Sequence, residues 1–190
     1  MLAATFAEHV RSLPLVDHHV HGAFTAELER ADFEVHLNEG SPERIPEWMT
    51  QFDSQLGFAI RRWCAPVIGL EPHASAEDYL AHRARLGAAE VNRRLLGATG
   101  VGTFLVDSGY QTGAMLGIAE MADAAGAGAA EVVRLEAVAE RVALSGTGAD
   151  DFATAYAEAL DVSTADAVGL KTASHLGLLL IKRLRRAARR

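Results

Sequence analysis

The run Leu13-Pro-Leu-Val-Asp-His-His-Val-His-Gly22 constrains this chain more than any other stretch. An apolar strand over Leu15 to His21 ends in a cluster of metal-ligand side chains. Side chains alternate faces along a strand, so Asp17, His19 and His21 point one way and Val16, His18 and Val20 the other. At a rise of about 3.3 Å per residue, the imidazoles of His19 and His21 can converge on one divalent cation. Neutral imidazole suits zinc, iron, nickel or copper better than hard, oxygen-seeking ions, and zinc is the expected one. Asp17 lies one step deeper on the same face, where it either orients His19 or is satisfied inside the strand. His18 faces away and reads as structural.

The rest of the chain reads as alternating strands and helices. Residues 3 to 12 suggest a short amphipathic helix before the first strand. A long polar stretch follows, from Gly22 to about Ser75, with Pro42, Pro46, Pro66, Pro72 and both tryptophans, Trp48 and Trp63. Within it Gln51 to Cys64 can form a helix, and residues 76 to 97 carry the periodic Leu, Ala and Val of one long helix. The near-continuous apolar run Val101 to Asp107 predicts a strand buried on both faces. Thr112 to Gly126 predicts a helix, Glu131 to Val138 a strand, Asp150 to Leu160 a helix with an acidic start, and Ala167 to Lys171 a fourth strand. A β-α-β-α-β order implies right-handed parallel units, hence the α/β class.

Together with Gly102-Thr-Phe-Leu-Val-Asp-Ser-Gly-Tyr110, Val132-Val-Arg-Leu-Glu-Ala-Val138 and Ala167-Val-Gly-Leu-Lys171, the D-H-H-V-H-G stretch resembles the metal-dependent amidohydrolase superfamily. The branch it is most similar to is related to the amidohydrolase domain fused to glutamine synthetase in some fungi. The resemblance covers roughly residues 13 to 172. It implies a TIM-barrel-like (β/α)8 fold with only the first four β/α units present and a helical insertion, about residues 22–100, after strand 1. That insertion is either a lid over the barrel mouth or a packing element.

The resemblance also implies roles for individual residues. His19 and His21 would bind metal. Lys171 would be the strand-4 lysine that many members carboxylate to bridge two ions, unless it is merely a solvated charge. Glu136, expected at the end of strand 3, would be a metal-binding or substrate-contacting carboxylate. Arg134 would hold a substrate carboxylate bidentately or pair with Glu136. Asp107 and Tyr110, after strand 2, would touch substrate or simply form a turn. The implied activity is hydrolysis of a C–N, amide-like bond in a small molecule; decarboxylases and uronate isomerases share the barrel. A metal phosphoesterase is the runner-up among enzymes. The other class is a non-catalytic half-barrel, a remnant or binding module able to form a homo-oligomer through its open strand edges.

Length and charge press against a full enzyme. A complete barrel takes about 250 residues, whereas this chain has 190. The histidines expected after strands 5 and 6 and the Asp general base after strand 8 have no counterpart, because His175 follows Lys171 too closely for a crossover. No catalytic base is therefore assigned. Net charge is −7, with six of the eighteen basic residues in Lys182 to Arg190. Residues 173–190 read as an atypical basic tail: the product of a shifted reading frame in a truncated gene, a basic helix for an anionic surface, or a solvated helix.

The acidic body argues against nucleic acid as a partner, and no tract approaches the roughly 20 apolar residues that span a bilayer. A lone cysteine, Cys64, and the lack of an N-terminal signal segment fit a cytoplasmic protein. The glycines at 97, 100 and 102 and the stretch Ser145 to Gly148 match no phosphate-binding loop, and no G-x-S-x-G elbow is present. His36, His73 and His82 read as surface residues.

Overall fold

A computed structural model describes residues 2–38, 43–109 and 114–172. Expectations for Tyr110, His175 and the basic tail fall outside those residues. In chain order the elements are α1 (Leu2–Ser12), β1 (Leu15–Val20), α2 (Arg30–Val35), a 3-10 turn (Gln51–Asp53), α3 (Gln55–Ala59), a π turn (Ile60–Cys64), α4 (Ala65–Ile68), α5 (Ala76–Leu86), α6 (Ala88–Gly97), β2 (Val101–Asp107), α7 (Ile118–Ala125), β3 (Gly128–Arg134), α8 (Leu135–Leu144), α9 (Phe152–Thr164) and β4 (Gly169–Lys171). They divide into two compact units. One holds the chain up to Gly22, Gly102–Ala122 and everything described from Gly128 on; the other holds Ala23–Val101 and Asp123–Ala127.

The first unit is built on a four-stranded parallel sheet in the order β1-β2-β3-β4. Sequential order is what successive right-handed βα units produce when no strand switches to the other side of the first. Strand β2 occupies the expected residues. Its register with β3 pairs Phe104 with Ala129 and Val106 with Glu131, so Phe104, Val106 and Val133 share one face. All three are buried, as are Met121 on α7 and Val138 and Val142 on α8, which together supply this unit's apolar core. On the opposite face, Asp107 is level with Val132, and Arg134 is level with Lys171. Three polar side chains from adjacent strands thus share one face, with Arg134 and Lys171 level with each other and one step beyond Asp107.

Strand β3 corrects the sequence-based range. It runs over Gly128–Arg134 and stops where Leu135 opens α8. The reason is a second periodicity under the first: Leu135, Val138 and Val142 recur at helical spacing, and Val138 and Val142 are buried on one helix face. Glu136 consequently sits on the first turn of a helix, not at a strand end.

The second unit has its own core of Phe52, Ala65, Ile68, Ala76, Tyr79 and Val91. Phe33 stacks on Phe52 with ring centroids 5.6 Å apart, and Tyr79 meets Phe52 edge-on at 6.0 Å. The single helix expected over 76–97 is broken at Gly87, whose φ of 79° is open to glycine and strained for other residues. Ser75 caps α5 by accepting the amide of Asp78. Helical structure also exceeds the expected 51–64 span, continuing to Ile68 through the π turn. Pro66 has no amide to donate to Arg62, and its ring crowds that carbonyl, so the turn widens and Ala65 donates to Ile60 instead. Among the described residues no helix is long and apolar enough to cross a membrane.

Candidate metal centre at the strand ends

Two adjacent strands deliver the three candidate donors at their C-terminal ends, the end of a parallel α/β sheet where ligands ordinarily bind. His19 is the penultimate residue of β1 and His21 follows its end directly. Asp107 closes β2. His19, His21 and Asp107 each offer one ligand atom, and the three atoms lie within 4.8 Å of one another. The two imidazole rings meet edge-on at 4.8 Å with an interplanar angle of 82°.

Local sequence explains how they are held. The Asp17 carboxylate accepts the backbone amide of His19 at 3.0 Å, which fixes the main chain rather than the His19 ring. Gly22 follows His21 with φ +97°, turning the strand away at once, and a Cβ there would come within 3.3 Å of the Leu116 carbonyl. After β2, Gly109 donates its amide to the Asp107 carboxylate at 3.1 Å. A Cβ on Gly109 would fall 2.5 Å from Cβ of Arg134, so only glycine lets this turn lie against Arg134.

Asp107 is the electrostatic centre. It is 1% exposed and accepts from Arg134 through Nε (3.2 and 3.1 Å to its two oxygens) and Nη2 (2.5 Å). Lys171, which ends β4, adds its ammonium at 3.0 Å from Oδ2. Burial alone would raise the Asp107 pKa; hydrogen bonds and charge from Arg134 and Lys171 outweigh it and hold the carboxyl below its ordinary 3.8. Asp107 is therefore a carboxylate at neutral pH. Burial pushes His21 below 6.5, Lys171 and His19 push the same way, and Asp107, 3.7 Å from its Nδ1, opposes them. His21 is therefore neutral at pH 7, the form in which imidazole binds metal. Two imidazole nitrogens and one carboxylate oxygen are a donor set suited to a borderline divalent ion with coordination positions left over.

The remaining residues singled out from sequence are distributed unevenly. Arg134 pairs with Asp107, not with Glu136. Glu136 accepts the Thr172 hydroxyl at 2.6 Å and is not a member of the metal-capable group. Lys171 does reach that group: its Nζ is 3.0 Å from Nδ1 and 3.1 Å from Nε2 of His19. The sequence leaves Asp107 between a substrate contact and a turn, and the structure sets its carboxylate beside His19 and His21 as a third group able to offer a ligand atom. The sequence signal for that role was the polar end of an otherwise apolar β2.

No family model matches the chain, and no curated protein is similar to it. Among solved structures it is similar to a protein of Lactobacillus casei ATCC 334, provisionally described as a metal-dependent hydrolase, with a TM-score of 0.66 and 22% identity. The match covers 88% of this chain and 44% of that one, so this chain spans less than half the neighbour's length. At that identity the likeness is one of fold.

Proposed function

We propose that this chain is the strand 1 to 4 portion of a (β/α)8 metal-dependent hydrolase of the amidohydrolase type, acting on a C–N, amide-like bond of a small molecule. His19, His21 and Asp107 hold the divalent ion, with zinc the expected one. The observation that carries the reading is the convergence of these three donors within 4.8 Å from the ends of two neighbouring parallel strands. Sequential strand order and the fold of the Lactobacillus protein support it. When bound, a divalent ion supplies Lewis-acid activation of water and of a carbonyl. The protein's own part is preparation. Arg134 keeps Asp107 ionised and fixed, Asp17 anchors the His19 backbone, and burial keeps His21 neutral. No residue is assigned as proton acceptor.

The test is zinc uptake by the purified chain, measured by titration, alongside hydrolysis of a panel of small amides. His19→Ala, His21→Ala and Asp107→Asn should each weaken zinc binding at least about tenfold, since each removes one of three ligands. Binding that is unchanged in all three variants refutes the site. A metal-binding chain without turnover would favour a second reading, a non-catalytic module. Exposed Leu15 and Val16 on edge strand β1, and Val168 and Leu170 at edge strand β4, favour a further protein surface against those edges. A second copy of the chain would appear as a dimer in light scattering.

A further inference from the structure

The charges around Asp107 do not balance once a metal is added. Arg134 and Lys171 bring two positive charges to one carboxylate, and a divalent ion brings two more. Like charges at such separations repel strongly in a partly buried site. One of the resident cations has to give way. Arg134 is the worse candidate, because its side chain is only 12% exposed and grips both carboxylate oxygens. Lys171 touches Asp107 through a single nitrogen, and its side chain is 24% exposed on the last residue of β4. Its ammonium is also nearly equidistant from both nitrogens of His19. That position lies over the ring rather than along either in-plane lone pair, so the contact has none of the direction of a strong hydrogen bond. The unbranched lysine stem can rotate the charge into water at small cost.

We propose that Lys171 is a tethered competitor for the metal: its ammonium engages His19 and Asp107, the groups that would bind the ion, and must leave them for the ion to enter. The inference rests on the metal-site reading and adds to it a coupling between metal uptake and the end of β4. It runs opposite to a role for Lys171 as a ligand, and the two predict opposite signs.

The experiment uses zinc alone as the probe. Zinc is titrated into the chain, Lys171→Met and His19→Ala in competition with a chromophoric chelator, with circular dichroism confirming that each is folded. Lys171→Met is expected to bind zinc about tenfold or more tightly than the parent chain, because the repelling charge is gone. A second readout needs no substitution. The chain has two lysines, Lys171 and Lys182, so amine acylation followed by mass spectrometry reports Lys171 with Lys182 as internal reference. Zinc should raise the relative labelling of Lys171. Equal or weaker zinc binding by Lys171→Met, or protection of Lys171 by zinc, overturns the inference while leaving the metal site standing. Binding that His19→Ala does not weaken also overturns the inference, since His19 is then no ligand to compete for, whereas the metal site itself falls only if His21→Ala and Asp107→Asn leave binding unchanged too.

Discussion

Removing the Asp107 charge should destabilise the sheet unit even with no metal in solution. Asp107→Asn keeps the shape but leaves Arg134 and Lys171 facing each other without a carboxylate. Hydrogen bonds to a charged group contribute about 1.5–3 kcal/mol each, and breaking a buried pair by deleting one partner costs about 3–5 kcal/mol. Two facts reduce that figure. Lys171 can turn to solvent, so its share is discounted, and the Asn oxygen still accepts from Gly109 or Arg134. The loss should therefore be about 2–4 kcal/mol, a large part of the roughly 5–15 kcal/mol that holds a domain folded. In a chain of this size that lowers Tm by about 5–15 °C. Urea unfolding at pH 7.5 with chelator present measures it. Far-UV circular dichroism is the probe to use, because Trp48 and Trp63 both belong to the other unit and are mostly exposed. The deficit should shrink as pH falls below 3.8, since the depressed Asp107 pKa stabilises the fold only while the carboxyl is ionised. Losses should rank Asp107→Asn, then Arg134→Met, then Lys171→Met, the last under about 1 kcal/mol. A loss below about 0.5 kcal/mol for Asp107→Asn, which is ordinary for surface substitutions, would refute the assignment of Asp107 as the buried hub.

Three further outcomes follow from the same contacts. Gly109→Ala places a methyl 2.5 Å from Cβ of Arg134 and 3.2 Å from Cβ of Ala137; it should cost about 1–3 kcal/mol in urea unfolding and weaken zinc binding, and a fully stable variant would show that the turn yields freely. His21 has a folded pKa below 6.5, so the unfolded chain binds more protons and stability falls as pH drops from 6.5 toward the lowered value. In chelator His21→Gln should flatten that part of the stability profile, and a slope equal to the parent's would contradict the shift. In the second unit, Phe52→Ala empties a position that is 1% exposed and stacked on Phe33; it should cost about 3–5 kcal/mol, and a loss under about 1 kcal/mol would mean that this core collapses to fill the gap.

What was legible in the sequence follows the range of the physics involved. The H-x-H pair could be placed because two-residue alternation along one strand is a local rule, and β2 could be bounded because its apolar run stands between Gly100 and Ser108. The limits of β3 could not, because Val132 and Val133 favour a strand while Leu135, Val138 and Val142 set a helical repeat that begins within the same few residues. The site partners fall in the same class. Whether Arg134 faces Glu136 or Asp107 depends on the register between β2 and β3, which pairs Asp107 with Val132 and so sets Arg134 one step above it on the same face. No property of either segment alone encodes that offset.

The same limit separates the surroundings of Asp107 from those of Glu136. A carboxylate's role here is decided by its neighbours across the sheet. Asp107 meets two cations from two other strands, which hold it ionised beside His19 and His21. Glu136, displaced onto a helix by the early end of β3, meets a hydroxyl. A single change to the strand-ending signal at Leu135, toward Val or Thr, would test this directly. If helix spacing terminates β3, the substitution should leave Arg134 at the strand end and Asp107 paired, because Val138 and Val142 still anchor α8. Zinc affinity and stability close to the parent's would bear that out, whereas losses of the size set by Asp107→Asn would mean that Leu135 itself fixes the register.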